Sequence, residues 1–197
     1  MKIAIRLLAA ATFAATAVPA LAATTFTTTL SGANETMPNT STATGTGSLT
    51  LSDDMNSVSL FLSWAGLTGG PATGAHIHCC ALPGANGPVA IDFGPPSVTT
   101  GSLSRTYDLT SLTSYSGGFL SANGGTAVSA RAALLAGFAT GRTYFNVHNA
   151  TFPGGEIRGQ LLLVPEASTW SMMLLGFGLM GGAMRVRQRS YRVMRGV

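Results

Sequence analysis

Apolar and polar residues alternate with a period of two along much of the chain between residues 24 and 164. The clearest case is Ser57–Trp64, in which every second residue from Val58 to Trp64 is a large apolar one. Because successive side chains of a strand point to opposite faces, this pattern predicts a strand with one buried face. Strand-like patterns or compositions occur at Thr25–Leu30, Gly47–Leu51, Ser57–Trp64, Ala75–Cys79, Pro88–Phe93, Ser102–Leu109, Arg142–His148 and Glu156–Leu163.

Gly- and Pro-rich joints separate these segments, for example at residues 66–74 and 82–87. One helical patch, Ala127–Ala136, is preceded by two glycines and followed by Gly137. Many short strands with frequent turn signals are typical of an antiparallel sandwich or barrel. The sequence therefore predicts an all-β fold, an antiparallel Greek-key sandwich or barrel of about seven or eight strands with one short helix.

The first 22 residues have the pattern of a secretory signal peptide. Lys2 and Arg6 form a basic start, an apolar run covers residues 7–18, and Pro19 precedes Ala20-Leu21-Ala22. This order predicts cleavage by signal peptidase between Ala22 and Ala23. The alternative, a first core helix, is disfavoured because the segment has no polar face.

The C-terminal end has a second composite pattern. After Val164–Trp170, residues 171–184 are uncharged, and five arginines follow within eleven residues. About 15 apolar residues are short against the ~20 that span a bilayer comfortably. Trp170 suits one membrane interface and the arginines suit the cytoplasmic side. The pattern predicts a short transmembrane helix.

This order of motif, short apolar segment and basic tail resembles the PEP-CTERM sorting signal, over residues 164–192, with 193–197 as a short tail. Pro165-Glu166 matches the motif core, and Ala167 stands where a second proline is usual. The resemblance implies processing by an exosortase, a membrane protease or transpeptidase of Gram-negative, exopolysaccharide-producing bacteria. A plain membrane anchor is the alternative, and both place the middle of the chain outside the cytoplasm.

The formal charge of +4 belongs to the two ends. Between residues 23 and 164, four arginines oppose six acidic residues, which leaves a charge of −2. Four scattered arginines do not form the basic surface that nucleic-acid binding requires. The expected partners are therefore the processing enzymes and envelope components, such as exopolysaccharide or other envelope proteins.

Three blocks of residues stand out in the middle of the chain. They are Leu30–Glu35, Ala75–His78 with Gly87–Val89, and Gly141–His148 with Pro153–Leu161. In this order they resemble the opening, the central block and the closing hairpin of the CHRD (chordin-type) domain family, and the resemblance covers residues 23–163. The family includes the repeats of chordin, which binds growth factors outside cells. The resemblance implies an extracellular β domain without a defined reaction.

All three histidines lie inside these blocks. His76 and His78 share one face of a strand, and His148 shares a face with Asn146 in another. A turn at residues 149–155 is expected to bring Glu156 and Arg158 alongside. Asn146, Glu156 and Arg158 are therefore candidates for residues that support the histidines.

If the two strands are neighbours, the three imidazoles converge on one outer patch. His-x-His with a distant His is a recurrent ligand set for copper or zinc. The arrangement is similar in outline to the copper half of copper–zinc superoxide dismutase, but no bridging histidine or further zinc ligand is available. Ring nitrogens more than roughly 8 Å apart would exclude a shared ion, because imidazole ligates at ~2 Å. The alternative is that the histidines are hydrogen-bonding surface residues.

Cys79 and Cys80 are the only cysteines, and they are adjacent. In an exported domain they are expected to form a disulfide. Alternatively they are soft metal ligands beside His78, with Cys80 on the histidine face if the strand continues, or plain structural residues.

Three functions remain open at this point. The first is a noncatalytic module in the envelope or the exopolysaccharide matrix, and the second is a copper- or zinc-binding or redox domain. The third is a hydrolase, but the chain has no Gly-x-Ser-x-Gly nucleophile setting. The first is favoured.

Overall fold

The computed structural model describes residues 23–165 and 167–194. Three α-helices are present in these ranges: α1 (Gly117–Ala122), α2 (Ala127–Ala139) and α3 (Ala167–Met194). Short 3-10 turns lie at Gly32–Asn34 and Leu112–Ser114. The strands are β1 (Thr24–Ser31), β2 (Thr44–Leu51), β3 (Ser57–Ala65), β4 (Ala72–Cys79), β5 (Val89–Asp92), β6 (Gly101–Asp108), β7 (Thr143–Asn149), β8 (Ile157–Gln160) and β9 (Leu162–Leu163).

The strands form one antiparallel sheet in the order β5-β4-β7-β8-β1-β2-β3-β6, with β9 paired to β1. The edge strands β5 and β6 lie close to each other. The Tyr107 hydroxyl donates to the Asp92 carbonyl at 2.9 Å, and the Phe93 and Tyr107 rings are 6.2 Å apart. The sheet is therefore curled into a half-barrel. The predicted all-β antiparallel fold is confirmed.

The concave face of the sheet holds the apolar core. In β3 the alternating pattern places Val58, Leu60, Leu62 and Trp64 inside, as predicted. A glycine is needed in β2, because a Cβ at Gly47 would lie 2.5 Å from the Phe145 ring. The alternation of apolar and polar residues thus sets which face of each strand is buried.

Helix α2 closes the core at one end. Its N-cap, Thr126, accepts a hydrogen bond from the Ser129 amide, and Ala130, Leu134 and Phe138 are buried. The Phe138 ring lies 5.2 Å from that of Phe26 in β1. The predicted helix over Ala127–Ala136 is confirmed and extends to Ala139, whereas α1 has no counterpart among the predicted elements.

The predicted strand Glu156–Leu163 is divided in two. Its first part pairs with β7, and Leu161 still donates to the Thr143 carbonyl at 3.0 Å. The chain then moves to β1, where Leu162 and Leu163 face Thr27 and Phe26. The division arises because β8 lies between β7 and β1 and can pair with each in turn.

At the C-terminal end, α3 covers the apolar segment that follows the sorting motif, and its Trp170, Leu174 and Phe177 side chains are exposed. In the part of the chain that the structure describes, no helix combines the length and apolar character needed to cross a membrane. The predicted transmembrane helix is therefore not confirmed. The predicted signal peptide, residues 1–22, and Glu166 of the sorting motif lie outside the described residues.

Candidate metal centre

The three histidines are brought together by the pairing of β4 with β7. In this antiparallel register His76 lies opposite Asn146, and His78 opposite Tyr144. His148 lies opposite Gly74, two pairs further along, so it is on the same face. Because residues at i and i+2 share a face of a strand, all three imidazoles project from the face that is turned away from the apolar core.

The rings are close enough to share one ion. The ring centre of His76 is 4.9 Å from that of His148 and 5.5 Å from that of His78, and the centres of His78 and His148 are 5.8 Å apart. One nitrogen from each ring lies within 4.8 Å of the other two. The separation is well below the roughly 8 Å that would exclude a shared ion.

Two of the rings are held from behind by backbone carbonyls. His78 Nδ1 is 2.9 Å from the Gly87 carbonyl oxygen, and His148 Nδ1 is 3.0 Å from that of Pro153. A carbonyl oxygen only accepts, so each Nδ1 carries the proton and each Nε2 keeps its lone pair. His76 is turned the other way, with Nε2 3.6 Å from the Asp92 carboxylate.

The opposite nitrogen of each ring is buried and has no hydrogen-bond partner among the described residues. These atoms are His76 Nδ1, His78 Nε2 and His148 Nε2. Buried polar side-chain atoms are nearly always hydrogen-bonded, so three unpartnered nitrogens in one place call for an explanation.

Electrostatics keeps these rings neutral. Burial lowers the pKa of all three histidines, that of His78 to about 4. Repulsion from His76 lowers the pKa values of His78 and His148 further. Near neutral pH the ring nitrogens therefore hold free lone pairs, which is the form that binds a metal.

The predicted outer patch is wrong in one respect, because this face of the sheet is covered. His78 is 8% exposed, and Asn146 and Arg158 are 1% and 2% exposed. Segments 32–41, 80–88 and 149–155 fold over the strands and bond to their polar side chains. Alternation predicted the two faces, but it carried no information on loops that cover the second one.

Arg158 is linked to His78 through Tyr144. Its guanidinium carbon lies 3.4 Å from the Tyr144 ring centre, and Tyr144 is stacked on His78 with the rings 4.8 Å apart and 2° from parallel. Arg158 also donates to the Ala85 carbonyl at 2.8 Å, and the Tyr144 hydroxyl accepts from the Gly87 amide at 3.1 Å. These bonds fix the loop whose carbonyl holds His78.

Glu156 does not accompany the histidines, which corrects the prediction for this residue. Its carboxylate accepts from the Thr68 and Gly69 amides at 2.6 and 3.3 Å, from the Ser41 hydroxyl at 2.5 Å, and from the Asn149 side chain. Burial would raise its pKa, but these hydrogen bonds outweigh burial and lower it. The residue joins loops instead of supporting a ring.

Two acidic residues near the site were missed from the sequence. Asp92, which faces His76, is positioned by the pairing of β5 with β4. Glu35 is buried in the covered layer and interacts with Asn146 and Arg158. The sequence feature that could have pointed to Glu35 is its position in the Leu30–Glu35 block.

The cysteines are on the other side of the sheet. Cys79 and Cys80 form a disulfide, and β4 ends at Cys79, so Cys80 does not continue along the histidine face. The Cys80 sulfur lies 3.4 Å from the Ala133 carbonyl oxygen of α2. The interpretation of the sulfurs as soft ligands is therefore wrong, because they pack against the helix.

Comparisons with known proteins identify two families in the chain. The model of the CHRD domain matches residues 26–161, which is more than half of the chain and includes all three histidines. The chain belongs to the CHRD domain family. The model of the PEP-CTERM protein-sorting motif matches residues 163–188 of this CHRD protein. No curated protein and no solved structure is significantly similar to it.

These matches establish where the CHRD protein is located and how it is processed. It is exported, associated with the cell envelope and processed by an exosortase. The CHRD family is not an enzyme family.

Proposed function

We propose that this CHRD protein is a noncatalytic envelope module that binds one copper or zinc ion through His76, His78 and His148. The observation that carries the proposal is a cluster of three imidazoles, each of which has a buried ring nitrogen without a hydrogen-bond partner among the described residues. Leaving a buried polar atom unsatisfied costs about 1–3 kcal/mol. An ion at the common point would satisfy all three.

The surroundings of the rings support ligation. Backbone carbonyls hold the outward nitrogens of His78 and His148, and such contacts fix tautomer and orientation in metal sites. Imidazole nitrogens suit zinc and copper, and ligation at about 2.0–2.1 Å requires nitrogens about 3.4 Å apart in a tetrahedral arrangement. The rings would reach this spacing by small side-chain rotations.

Asp92 adds charge without joining the ligand set. Its exposed carboxylate lies 3.6 Å from His76 Nε2, whereas the unpartnered nitrogen of this ring is Nδ1. A carboxylate in that position orients the imidazole and raises its basicity. Since the three candidate ligands are neutral, the site would retain the positive charge of its ion.

The test is metal analysis of purified protein after stripping and reconstitution with Cu²⁺ or Zn²⁺. We expect elemental mass spectrometry to find about one ion per chain. The affinity for Cu²⁺ or Zn²⁺ should fall at least tenfold in the His76→Ala/His78→Ala variant. Glu35→Gln is the matched control, because it alters the same buried layer without removing a ring nitrogen. Wild-type protein that retains no ion would overturn the proposal and leave the histidines as hydrogen-bonding residues that order the loops.

A further inference from the structure

Part of the outer face of the sheet is not covered by loops. On β1, β2, β3 and β6 the side chains that point away from the core are all exposed or half-buried. They belong to the odd-numbered residues of β1 and β3 and to the even-numbered residues of β2 and β6. Nearly all of these residues are Ser or Thr, and the exceptions are Phe61, Ala65 and Asp108. This surface is named the hydroxyl face.

The hydroxyl groups of this face lie in rows that cross the strands. Thr46, for example, lies opposite Thr29 in β1 and Ser63 in β3. Ser59 and Thr106 are also paired, with their hydroxyl oxygens 2.9 Å apart. Because a hydroxyl group has one donor and two acceptor positions, a pair that shares one hydrogen bond keeps a donor and several acceptors for a ligand. The rows extend roughly 14 Å across the four strands and roughly 20 Å along them.

A single aromatic ring lies among these hydroxyl groups. Phe61 is 43% exposed, and its neighbours across the strands, Ser48 and Ser104, are too small to cover it. The ring lines two shallow cavities of about 700 and 390 Å³. The larger cavity lies towards Ser63 and the smaller towards Ser59, so the ring stands between two depressions that are lined mainly by the hydroxyl face.

The hydroxyl face carries almost no charge. Its one charged member, Asp108, lies at the end of β6, and the carboxylate accepts from the Thr110 amide and hydroxyl at 2.8 and 2.6 Å. Arg105, at the same edge of the sheet, lines the smaller cavity. A charged polymer is attracted by a cluster of like charges, which this face lacks. Protein interfaces are enriched in aromatic residues, Met and Arg and depleted in Ser, so the composition does not favour a protein partner either.

We propose that the hydroxyl face binds a neutral linear polysaccharide, with one sugar ring stacked on Phe61 and its neighbours in the two depressions. The hydroxyl groups of a sugar both donate and accept, as those of Ser and Thr do. The face of an aromatic ring is negative, so it attracts the positively polarised C–H bonds of a sugar ring. The dimensions of the face allow contact with several consecutive sugar units. This site goes beyond the metal centre and contains none of its histidines.

The test is affinity electrophoresis of the purified protein in native gels that contain dextran, hydroxyethylcellulose or galactomannan, with alginate as the charged comparison. We expect at least one neutral polysaccharide to slow the wild-type protein in proportion to its concentration in the gel. A hexasaccharide of that polymer should compete for binding better than its monosaccharide, because it reaches both depressions. Equal competition by the two would contradict a site that spans several sugar units.

Matched variants make the test specific to this face. Phe61→Ala should weaken binding about fivefold, because it removes the stacking ring. Thr29→Val/Thr44→Val should weaken it by a similar factor, because both hydroxyl groups line the larger cavity and valine suits a strand. Val128→Ala, at an exposed apolar position on α2, is the control and should leave binding unchanged. Thermal melts of each variant show whether the fold is kept.

Three further outcomes would overturn the proposal: no slowing by any neutral polysaccharide, equal slowing of wild type and Phe61→Ala, or stronger slowing by alginate than by every neutral polymer. A dimer in sedimentation that Phe61→Ala dissociates, with no polysaccharide binding, would assign the face to a second copy of the chain instead. The His76→Ala/His78→Ala variant should lose metal and keep polysaccharide binding, so failure of one site is distinguished from failure of the other.

Discussion

At the scale of single residues, Arg158 is a buried cation that is connected to the histidine cluster only through neighbouring residues. It lies over Tyr144, which is stacked on His78, and it donates to the Ala85 carbonyl. The neighbouring loop residue Gly87 supplies the carbonyl that holds His78. Removing the Arg158 charge should therefore weaken the contacts that Tyr144 and Gly87 make with the His78 ring.

We expect Arg158→Met to weaken Cu²⁺ or Zn²⁺ binding about tenfold, a typical loss when support behind a ligand is removed. Methionine keeps much of the apolar stem but has no donors. Competition against a chelator of known affinity measures the change, and Arg105→Met at an exposed position is the control. Unchanged affinity in Arg158→Met would show that Tyr144 and Gly87 hold His78 without it.

Glu35 gives a second prediction at this scale, based on pH. Burial raises its pKa to about 7 in the folded state, whereas a carboxyl in the unfolded chain titrates near 4.5. Its contribution to stability is therefore fully present below about pH 4.5 and is lost as the pH rises through 7. Glutamine resembles the protonated form and does not titrate.

The advantage of Glu35→Gln over wild type should therefore grow with pH. Allowing for partial solvation, we expect about 1 kcal/mol or more between pH 4.5 and 8.5, or a relative Tm gain of about 3 °C at this chain length. Thermal melts of both proteins across this range measure it. Asp53→Asn, at an exposed position, is the control, and an advantage that shrinks with pH would contradict the assignment.

At the scale of elements, the loops are held together by Glu156, the first residue after the turn at 149–155. Its carboxylate accepts from both the Thr68 and Gly69 amides and from Ser41, which belongs to the segment before β2. Hydrogen bonds to a charged group contribute about 1.5–3 kcal/mol each and are not additive.

Glu156→Gln should lower the free energy of unfolding by about 2–4 kcal/mol, because the amide offers one acceptor oxygen where the carboxylate offers two. The lowered pKa of Glu156 means that its contribution is present above the unfolded value near 4.5 and is lost as the pH falls below it. Urea unfolding at pH 7 and pH 3.5 measures both effects. A loss as large at pH 3.5 as at pH 7 would be inconsistent with a bonded carboxylate.

Sequence patterns predicted the strands well, and the reason is physical. In β3, the alternation from Val58 to Trp64 records a single buried face, so strand and orientation follow directly. The shared face of His76 and His78 follows from the same rule. The proximity of His76 and His78 to His148 does not follow from alternation, because it depends on the pairing of β4 with β7, which are about 70 residues apart in the chain.

The burial of the site was also beyond the sequence pattern. In β7 both faces are largely buried. Asn146 is covered by the segment that carries Glu35, which is remote in sequence, and the His148 ring contacts Pro153 in the turn that follows the strand. Polar residues on the second face of a strand usually indicate solvent, and here they indicate a buried hydrogen-bonded layer. Cys80 was misplaced for a related reason, since nothing in the sequence shows that β4 ends at Cys79.

At the scale of the whole molecule, the delivered domain and its sorting signal occupy separate parts of the chain. The match to the CHRD domain ends at residue 161, and the match to the sorting motif begins at residue 163. The last strand, β9, ends at Leu163 and pairs with β1, so the domain is closed before Pro165. Changes in the motif should therefore alter processing and leave the domain intact.

We expect Glu166→Ala to block exosortase processing, so that the C-terminal segment stays attached and the protein accumulates in the membrane fraction. The motif core is Pro165-Glu166, and an exosortase must recognise it before cleavage, whereas the domain makes its contacts upstream. Immunoblots of cell fractions with tags on either side of the motif measure processing. Ser168→Ala is the control, and a thermal melt of the purified Glu166→Ala protein should match that of wild type. Normal processing of Glu166→Ala would mean that recognition depends on the helix and basic tail that follow.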